Sequence, residues 1–289
     1  MQKFRFHIES NDAVARDTFR IVLRTDGCVA VRSGQFVDID IPGYYLRRPI
    51  SVSDSLSDGV VLYYKVVGEG TKVLSAMGPG ASLELLASAP GVQVSADPEK
   101  GPGEYLDAPA AQRSRASCIT GLGHGFSPEH CNEAALLIGG GLGAAPLYLL
   151  AKELLAAGKR ATVVLGFNKA DEICLEQEFR ALGVPVHIAT MDGSVGTKGF
   201  VTDAIAAARL VIPDGDPESR AAFDRFYSCG PLPMMKAVCA ALDVPGEVSL
   251  EERMGCGAGF CYGCTVQTAS GPRRVCADGP VFDKEEVLW

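Results

Sequence analysis

The sequence predicts an α/β plus all-β fold: an N-terminal antiparallel barrel, then a doubly wound parallel-sheet domain, then a small C-terminal segment folded round a metal centre. Three observations predict it. Up to Ala87 the chain carries short apolar runs separated by turn residues. From Ala134 an apolar strand, a glycine turn and a helical stretch follow one another, and strands keep alternating with helices as far as Cys229. Beyond them Cys256, Cys261, Cys264 and Cys276 stand in the pattern C-x4-C-x2-C-x11-C, a spacing that suits metal ligation.

At 289 residues the chain is long for one domain and comfortable for two plus an appendage. With 47% hydrophobic and 21% charged residues it can bury real cores, which excludes global disorder. The 27 basic and 35 acidic residues give a net charge of -8, which leaves no electrostatic footprint for nucleic acid or an anionic membrane. Proteins and small molecules are the partners to expect. The N-terminal MQKFRFHIESND carries no apolar signal-peptide core and a chain this long does not need staples, so the ten cysteines are read as reduced and the location as cytoplasmic. Ala134 to Ala151 is uncharged, but four glycines and Pro146 within it argue for strand, turn and helix and against a membrane span.

In the barrel, Phe4, Phe6 and Ile8 alternate with polar neighbours, and FRIVLR, QFVDIDI, ISVSD and VVLYYKVV supply further short strands. The segment YLRRPIS places Arg48 and Ser51 near one another at the start of a strand. Arg48 suits a phosphate and Ser51 a flavin ring or ribityl group; a solvated arginine pair beside a turn is the other reading. Tyr63 to Thr71 ends a strand in a glycine turn before the helical VLSAM, so the N–H groups of Gly70 and Thr71 suit a pyrophosphate. Between about Ala87 and Ser117 the composition turns to Ala, Pro, Gly and Ser, as in a linker or surface insertion. His124 in GLGHGF fits an acid-base role or, as for most loop histidines, simple exposure.

In the second domain Ala134 to Ile138 reads as a buried strand, Gly139 to Gly143 as the turn and Ala144 to Ala157 as the helix. Strand, glycine turn and helix form a phosphate-cradling unit, although G-G-G-L-G is not the G-x-G-x-x-G spacing and equally fits close helix–strand packing. Strands at Ala161 to Gly166, Val184 to Thr190 and Phe226 to Cys229 support a parallel sheet. Cys229 in YSCGPLPM stands at the carboxyl end of its strand, where ligands of such sheets bind; a buried core cysteine is the alternative.

Four thiolates at C-x4-C-x2-C with a distant fourth match the plant-type [2Fe-2S] arrangement. Gly255, Gly257, Gly259 and Gly263 let the backbone curl round such a core. A structural zinc or ordinary reduced cysteines remain as alternatives, though zinc sites usually pair two C-x2-C knuckles and here only Cys261 and Cys264 have that spacing.

The order of RRPIS, GEGT, GGGLGAAP, YSCGP and the four-cysteine segment resembles the ferredoxin-NADP reductase superfamily, and within it the electron-transfer subunits of NAD-dependent dihydroorotate dehydrogenases. The resemblance covers nearly the whole chain apart from the stretch near 87–117. It implies a FAD-binding β-barrel domain at 1–95, an insertion and linker at 96–132, a NAD-binding α/β domain at 133–245 and a [2Fe-2S] cluster segment at 246–289. By it, Arg48, Pro49, Ile50 and Ser51 match the FAD-contacting motif, joined by Tyr63, Tyr64, Lys65, Gly70 and Thr71. Ile50 stands where the wider superfamily usually has Tyr, although the closer subfamily also reads RPIS. Gly139, Gly140, Gly141, Gly143 and Pro146 match the dinucleotide turn. Cys229, Gly230, Pro231 and Met234 match CGPxxM, with the cysteine near the nicotinamide. Cys256, Cys261, Cys264 and Cys276 match the [2Fe-2S] ligands.

The resemblance implies an enzyme subunit that passes electrons from a partner FMN-containing dihydroorotate dehydrogenase subunit, through the cluster and FAD, to NAD+, within a heterotetramer of pyrimidine biosynthesis. A reductase of the same superfamily serving ferredoxin or a sulfur-reducing partner shares every motif. A redox or zinc-binding regulator without flavin is a third class. NADH is expected over NADPH, with acidic Phe167 to Glu172 after the second strand discouraging a 2′-phosphate despite Lys169. Phe260 and Tyr262 in the cysteine loop fit either a partner interface or packing on the chain's own barrel.

Overall fold

The computed structural model describes residues 1–88, 118–208, 210 and 223–289. The expected insertion near 87–117 therefore lies, from residue 89 on, outside the described residues.

Six antiparallel strands close the N-terminal barrel: β1 (Gln2–Ala15), β2 (Thr18–Arg24), β3 (Phe36–Asp40), β4 (Arg48–Leu56), β5 (Gly59–Lys65) and β6 (Ser82–Ala87), in the order β1-β2-β5-β4-β3-β6. The period-two pattern decides which faces turn inward. Phe6 and Ile8 are buried while Arg5 and His7 between them are exposed. With Ile21, Leu23, Val37, Ile39, Val52, Leu62 and Leu85 they form the barrel core, each large side chain contributing about 1.5–3 kcal/mol by leaving water. Helix α1 (Glu69–Ser75) follows β5 and lays Leu74 against this core.

The second domain is a seven-stranded sheet. Its strands β7 (Ala134–Gly140), β8 (Arg160–Phe167), β9 (Val186–Thr190), β10 (Thr197–Lys198), β11 (Arg225–Cys229), β12 (Gly246–Ser249) and β15 (Val281–Asp283) run in the order β10-β9-β8-β7-β11-β12-β15. All neighbours are parallel except β12 and β15. Residues on β7 alternate between two apolar layers, Ala135 and Leu137 on one face and Leu136 and Ile138 on the other, which is why the strand reads as a continuous apolar run. The first layer is covered by α2 (Ala144–Ala156) and α3 (Glu176–Ala181), the second by α4 (Val201–Ala207) and α5 (Leu232–Ala241).

Chain order reverses between β7 and β11. From β7 the strands run outward to β10 on one side; the chain then returns to lay β11 and β12 on the other. The carboxyl ends of β7 and β11 thus flank the switch point, where doubly wound sheets bind ligands.

Helix α2 joins the two domains. Lys152 Nζ donates to both oxygens of Asp54 on β4 at 2.7 and 2.8 Å, and Ser33 Oγ donates to Glu153 Oε2 at 2.6 Å. The last segment is less separate than its sequence position implies: β12 and β15 extend the sheet, while the hairpin of β13 (Thr265–Thr268) and β14 (Gly271–Arg274) follows the third cysteine. Cys28 and Cys118, read from the sequence as separate thiols, are joined as a disulfide; the other eight cysteines are free. Residues 90 positions apart meet because Val29 and Ile119 pair as a parallel bridge, a contact that sequence spacing does not disclose.

Candidate functional site

Arg48 opens β4. Its guanidinium lies 5.4 Å from the Tyr44 ring centroid and donates to the carbonyls of Leu46 and Arg47. A Cβ on Gly70 would stand 2.5 Å from Arg48 Nη2, so the arginine and the start of α1 share one small space. Hydrogen-bonded to carbonyls, this guanidinium keeps its charge for an anion. Several of the other residues expected at the flavin make contacts within the protein. Ile50 is 9% exposed and belongs to the barrel core. The Tyr63 hydroxyl donates to Glu178 at 3.2 Å and the Tyr64 hydroxyl to Asn11 at 2.8 Å, while Lys65 lies 3.7 Å from Glu172. The Thr71 hydroxyl accepts from the N–H groups of Val67 and Gly68 at the cap of α1.

At the switch point the two loops interlock. Cys229 and Gly139 are register partners across β11 and β7. A Cβ on Gly143 would lie 2.1 Å from the Cys229 carbonyl oxygen, and Gly140 abuts Pro231 and Met234. Gly141 differs: its φ is +54° and nothing lies within 4 Å of an added Cβ. The close-packing reading of the glycine run holds at Gly143, while Gly141 makes a left-handed turn beside open space. Pro146 sits in the first turn of α2, where a missing N–H costs nothing.

Cys229 is 1% exposed. Burial pushes its thiol far up, with the Glu251 charge acting in the same direction, so it stays neutral at ordinary pH. That suits packing beside a reacting ring and not nucleophilic attack. Ser249, opposite Cys229 on β12, and Glu251 beyond it were missed in the sequence. The available signal was the position of SLE at the carboxyl end of the last parallel strand.

The acidic stretch after β8 turns elsewhere than expected. Glu172 accepts from Arg16 at 2.5 Å and from Asn168 at 2.9 Å, and Asp171 pairs with Arg16 at 3.3 Å. These carboxylates tie the sheet domain to the barrel, so the discrimination against a 2′-phosphate that was read into them does not rest on free acids.

In the cysteine loop, backbone N–H groups point at sulfur. Ala258 N donates to Cys256 Sγ at 3.4 Å, Gly259 N to Cys276 Sγ at 3.2 Å, Gly263 N to Cys261 Sγ at 3.4 Å and Cys276 N to Cys264 Sγ at 3.4 Å. Burial would push the Cys256 thiol up, but N–H donors from Ala258, Cys261 and Phe260 and the Cys261 thiol bring it down to about 6. Cys276, buried and beside Cys264, is pushed up to about 12. Among the described residues no group of three or more His, Cys, Asp or Glu is arranged to hold one metal ion. Backbone N–H donors to all four sulfurs, together with the C-x4-C-x2-C spacing, fit a two-iron core better than a single tetrahedral zinc. Arg274 braces the loop, donating to both oxygens of Asp278 at 2.8 Å and to the Gly259 carbonyl at 2.8 Å. Phe260 and Tyr262 are 81% and 66% exposed, so neither packs into the barrel. His124 is half-buried, its N–H bonded to the Gly279 carbonyl, and burial lowers its imidazole.

A barrel, a doubly wound sheet with its ligand edge at the switch point, and a loop of four thiols define a nucleotide-linked redox protein. Residues 251–288 match the family model described as the iron-sulfur cluster binding domain of dihydroorotate dehydrogenase B, and residues 137–240 match an oxidoreductase NAD-binding domain. The chain is 36% identical over 290 residues to the electron transfer subunit of dihydroorotate dehydrogenase B (NAD(+)) of Fusobacterium nucleatum, covering 97% of this chain and 96% of that one. It is 37% identical over 297 residues to the Shouchella clausii subunit of the same name, covering 98% and 97%. This chain belongs to the family of dihydroorotate dehydrogenase B (NAD(+)) electron transfer subunits. Among solved structures it is similar, at TM-score 0.75 and 29% identity over 98% of this chain and 90% of the other, to an NADH-dependent reduced ferredoxin-NADP oxidoreductase described for flavin-based electron bifurcation. A Neisseria gonorrhoeae ferredoxin NADP+ reductase, at TM-score 0.59 and 14% identity over 83% and 90%, shares the fold. No helix among the described residues is long and apolar enough to cross a membrane.

Proposed function

We propose that this chain carries electrons from an FMN-containing subunit that oxidises dihydroorotate to NAD+, in a cytoplasmic heterotetramer. The observation that carries the reading is the contact of three sites in one chain. Arg47 reaches from the barrel to the carbonyl of Cys256 at 3.3 Å, and α2 ties the same barrel to the glycine-turn sheet. When bound, an iron–sulfur cluster handles single electrons, FAD one or two, and NAD a hydride, which matches the order of the three sites.

The chain's own groups position these cofactors. Arg48 holds the anionic part of FAD, with Ser51, Gly70 and Thr71 beside it and Pro49, Ile50, Tyr63, Tyr64 and Lys65 shaping the strand walls. Gly139 to Gly143, Pro146, Gly230, Pro231 and Met234 form the dinucleotide edge, and Cys229 fills the space behind the nicotinamide as a neutral thiol. Cys256, Cys261, Cys264 and Cys276 hold the cluster. Tyr45 at 99% exposure and Leu46 at 47% adjoin Arg47 and join Phe260 and Tyr262 as apolar surface for the FMN subunit. A cytoplasmic location suits the four free thiols outside the cluster loop, Cys131, Cys174, Cys229 and Cys239.

The 29% identity to the ferredoxin-NADP oxidoreductase chain favours a second reading, in which the acceptor is ferredoxin or a sulfur-reducing partner. Anaerobic purification with the candidate FMN subunit, cofactor analysis and assay with dihydroorotate and NAD+ separates them. Co-purification with coupled turnover supports the first reading; coupling to ferredoxin alone supports the second.

A further inference from the structure

Arg47 and Arg48 are neighbours in sequence and turn to opposite ends of the redox path. Arg48 meets Gly70 at the flavin end. Arg47 lies between β3 and the cysteine loop: Nε donates to Asp38 Oδ2 at 3.1 Å and Nη2 to the Cys256 carbonyl at 3.3 Å. Asp38 is 1% exposed, and its Oδ1 has no hydrogen-bond partner among the described residues. Gly257 passes directly over this carboxylate. Its φ is +63° and an added Cβ would stand 2.5 Å from Asp38 Oδ2, so the approach requires glycine. Asp38 is also the register partner of Pro49, on the strand adjoining the proposed flavin motif.

Stability does not account for such a pair. A desolvated ion pair generally gains little over an apolar substitute, and the barrel core near it is aliphatic. What the pair supplies is two fixed, opposite charges beside the first cysteine ligand, a buried carboxylate and a partly exposed guanidinium.

We propose that Asp38 and Arg47 are positioning residues that hold the cysteine loop on the barrel and set the reduction potential of the cluster it carries. This rests on the proposed [2Fe-2S] ligation by Cys256, Cys261, Cys264 and Cys276. Reduction adds one negative charge, so the Asp38 carboxylate opposes it and the Arg47 guanidinium favours it; net charge near a cluster is one of the levers on its potential.

The test is a redox titration of the full chain, purified anaerobically, followed by visible absorbance and electron paramagnetic resonance, for the wild type, Asp38→Asn, Arg47→Gln and Arg47→Lys. The Asp38→Asn midpoint should rise, that of Arg47→Gln should fall, and Arg47→Lys, which keeps the charge, should stay near the wild type with wild-type flavin content. A purely structural role would move Asp38→Asn and Arg47→Gln in the same direction through a looser, wetter loop. Shifts of the same sign, or none, overturn the proposal while leaving the ligand assignment intact. A wild-type chain that binds no cluster overturns both. Should Arg47→Gln fail to hold a cluster, Asp38→Asn and Arg47→Lys decide together: an upward shift in the first with a midpoint near the wild type in the second supports the proposal, and any other result overturns it.

Discussion

Replacing Gly143 by alanine should separate the two loops that meet at the switch point. The added Cβ would lie 2.1 Å from the Cys229 carbonyl oxygen, 2.4 Å from its carbon and 2.7 Å from Gly230 N. These are backbone atoms, with no flexible side chain to yield. Ordinary carbon–oxygen contact needs more than 3 Å, so the loops must part by roughly 1 Å. Overpacking of this kind costs about 1–3 kcal/mol, with a fall in melting temperature of about 2–4 °C per kcal/mol in a chain of this size. A displacement of about 1 Å at the nicotinamide should slow hydride transfer by about 10²-fold. Gly141→Ala is the control. It meets nothing within 4 Å but has φ +54°, so it should cost about 1–2 kcal/mol of backbone strain without parting the loops. Stopped-flow reduction of bound flavin by NADH, alongside thermal melts, reads both effects. If Gly143→Ala matched the wild type in rate and melting, or proved milder than Gly141→Ala, the interlocked loops would not be what places the nicotinamide.

Further outcomes can be checked separately. Cys264→Ala should abolish the cluster spectrum yet keep NADH-dependent reduction of flavin; a retained spectrum, or zinc in metal analysis, would remove the ligand assignment. Arg48→Ala should lose FAD with the cluster intact, since alanine cannot replace a charge-assisted hydrogen bond of about 1.5–3 kcal/mol; unchanged flavin occupancy would place the anion elsewhere. Cys229→Ser should leave both cofactors bound and slow flavin reduction by NADH, and an unaltered rate would make Cys229 a core residue only. Burial alone would raise the Asp224 carboxyl, but N–H groups of Ala134, Asn132 and Glu133 donate to it at 2.7–2.8 Å and hold it below its ordinary value. Its contribution is therefore present in full above the unfolded carboxylate value of about 3.9 and lost as pH falls through the lower folded value. Asp224→Asn should flatten that acid limb of a stability–pH curve; an identical limb would assign it to other groups.

Local patterns made the scaffold legible. Alternation at Phe4, Phe6 and Ile8 foretold β1, and the run from Ala134 to Ile138 foretold a strand apolar on both faces. The cysteine spacing was legible because all four cysteines of the pattern come from one short segment. What escaped the sequence depends on distant partners. Arg47 and Cys256 are 209 positions apart, so nothing local distinguished Arg47 from a solvated arginine. Glu172, in an acidic stretch suited to a ribose, is drawn to Arg16 on the barrel 156 positions earlier. The hydroxyl acceptors of Tyr63 and Tyr64, Glu178 and Asn11, lie on other elements and could not be read from the local sequence. β15 likewise joins β12 across the cysteine loop, giving a segment that reads as an appendage a place in the sheet.

The decisive measurement is anaerobic reduction of NAD+ by dihydroorotate, followed as NADH absorbance, with the purified chain alone, the candidate FMN subunit alone, and the two combined. The account predicts NADH from the combination only, with Cys264→Ala in place of the wild-type chain abolishing it. NADH formed by this chain alone, or a combination that fails to couple with all cofactors bound, would contradict it.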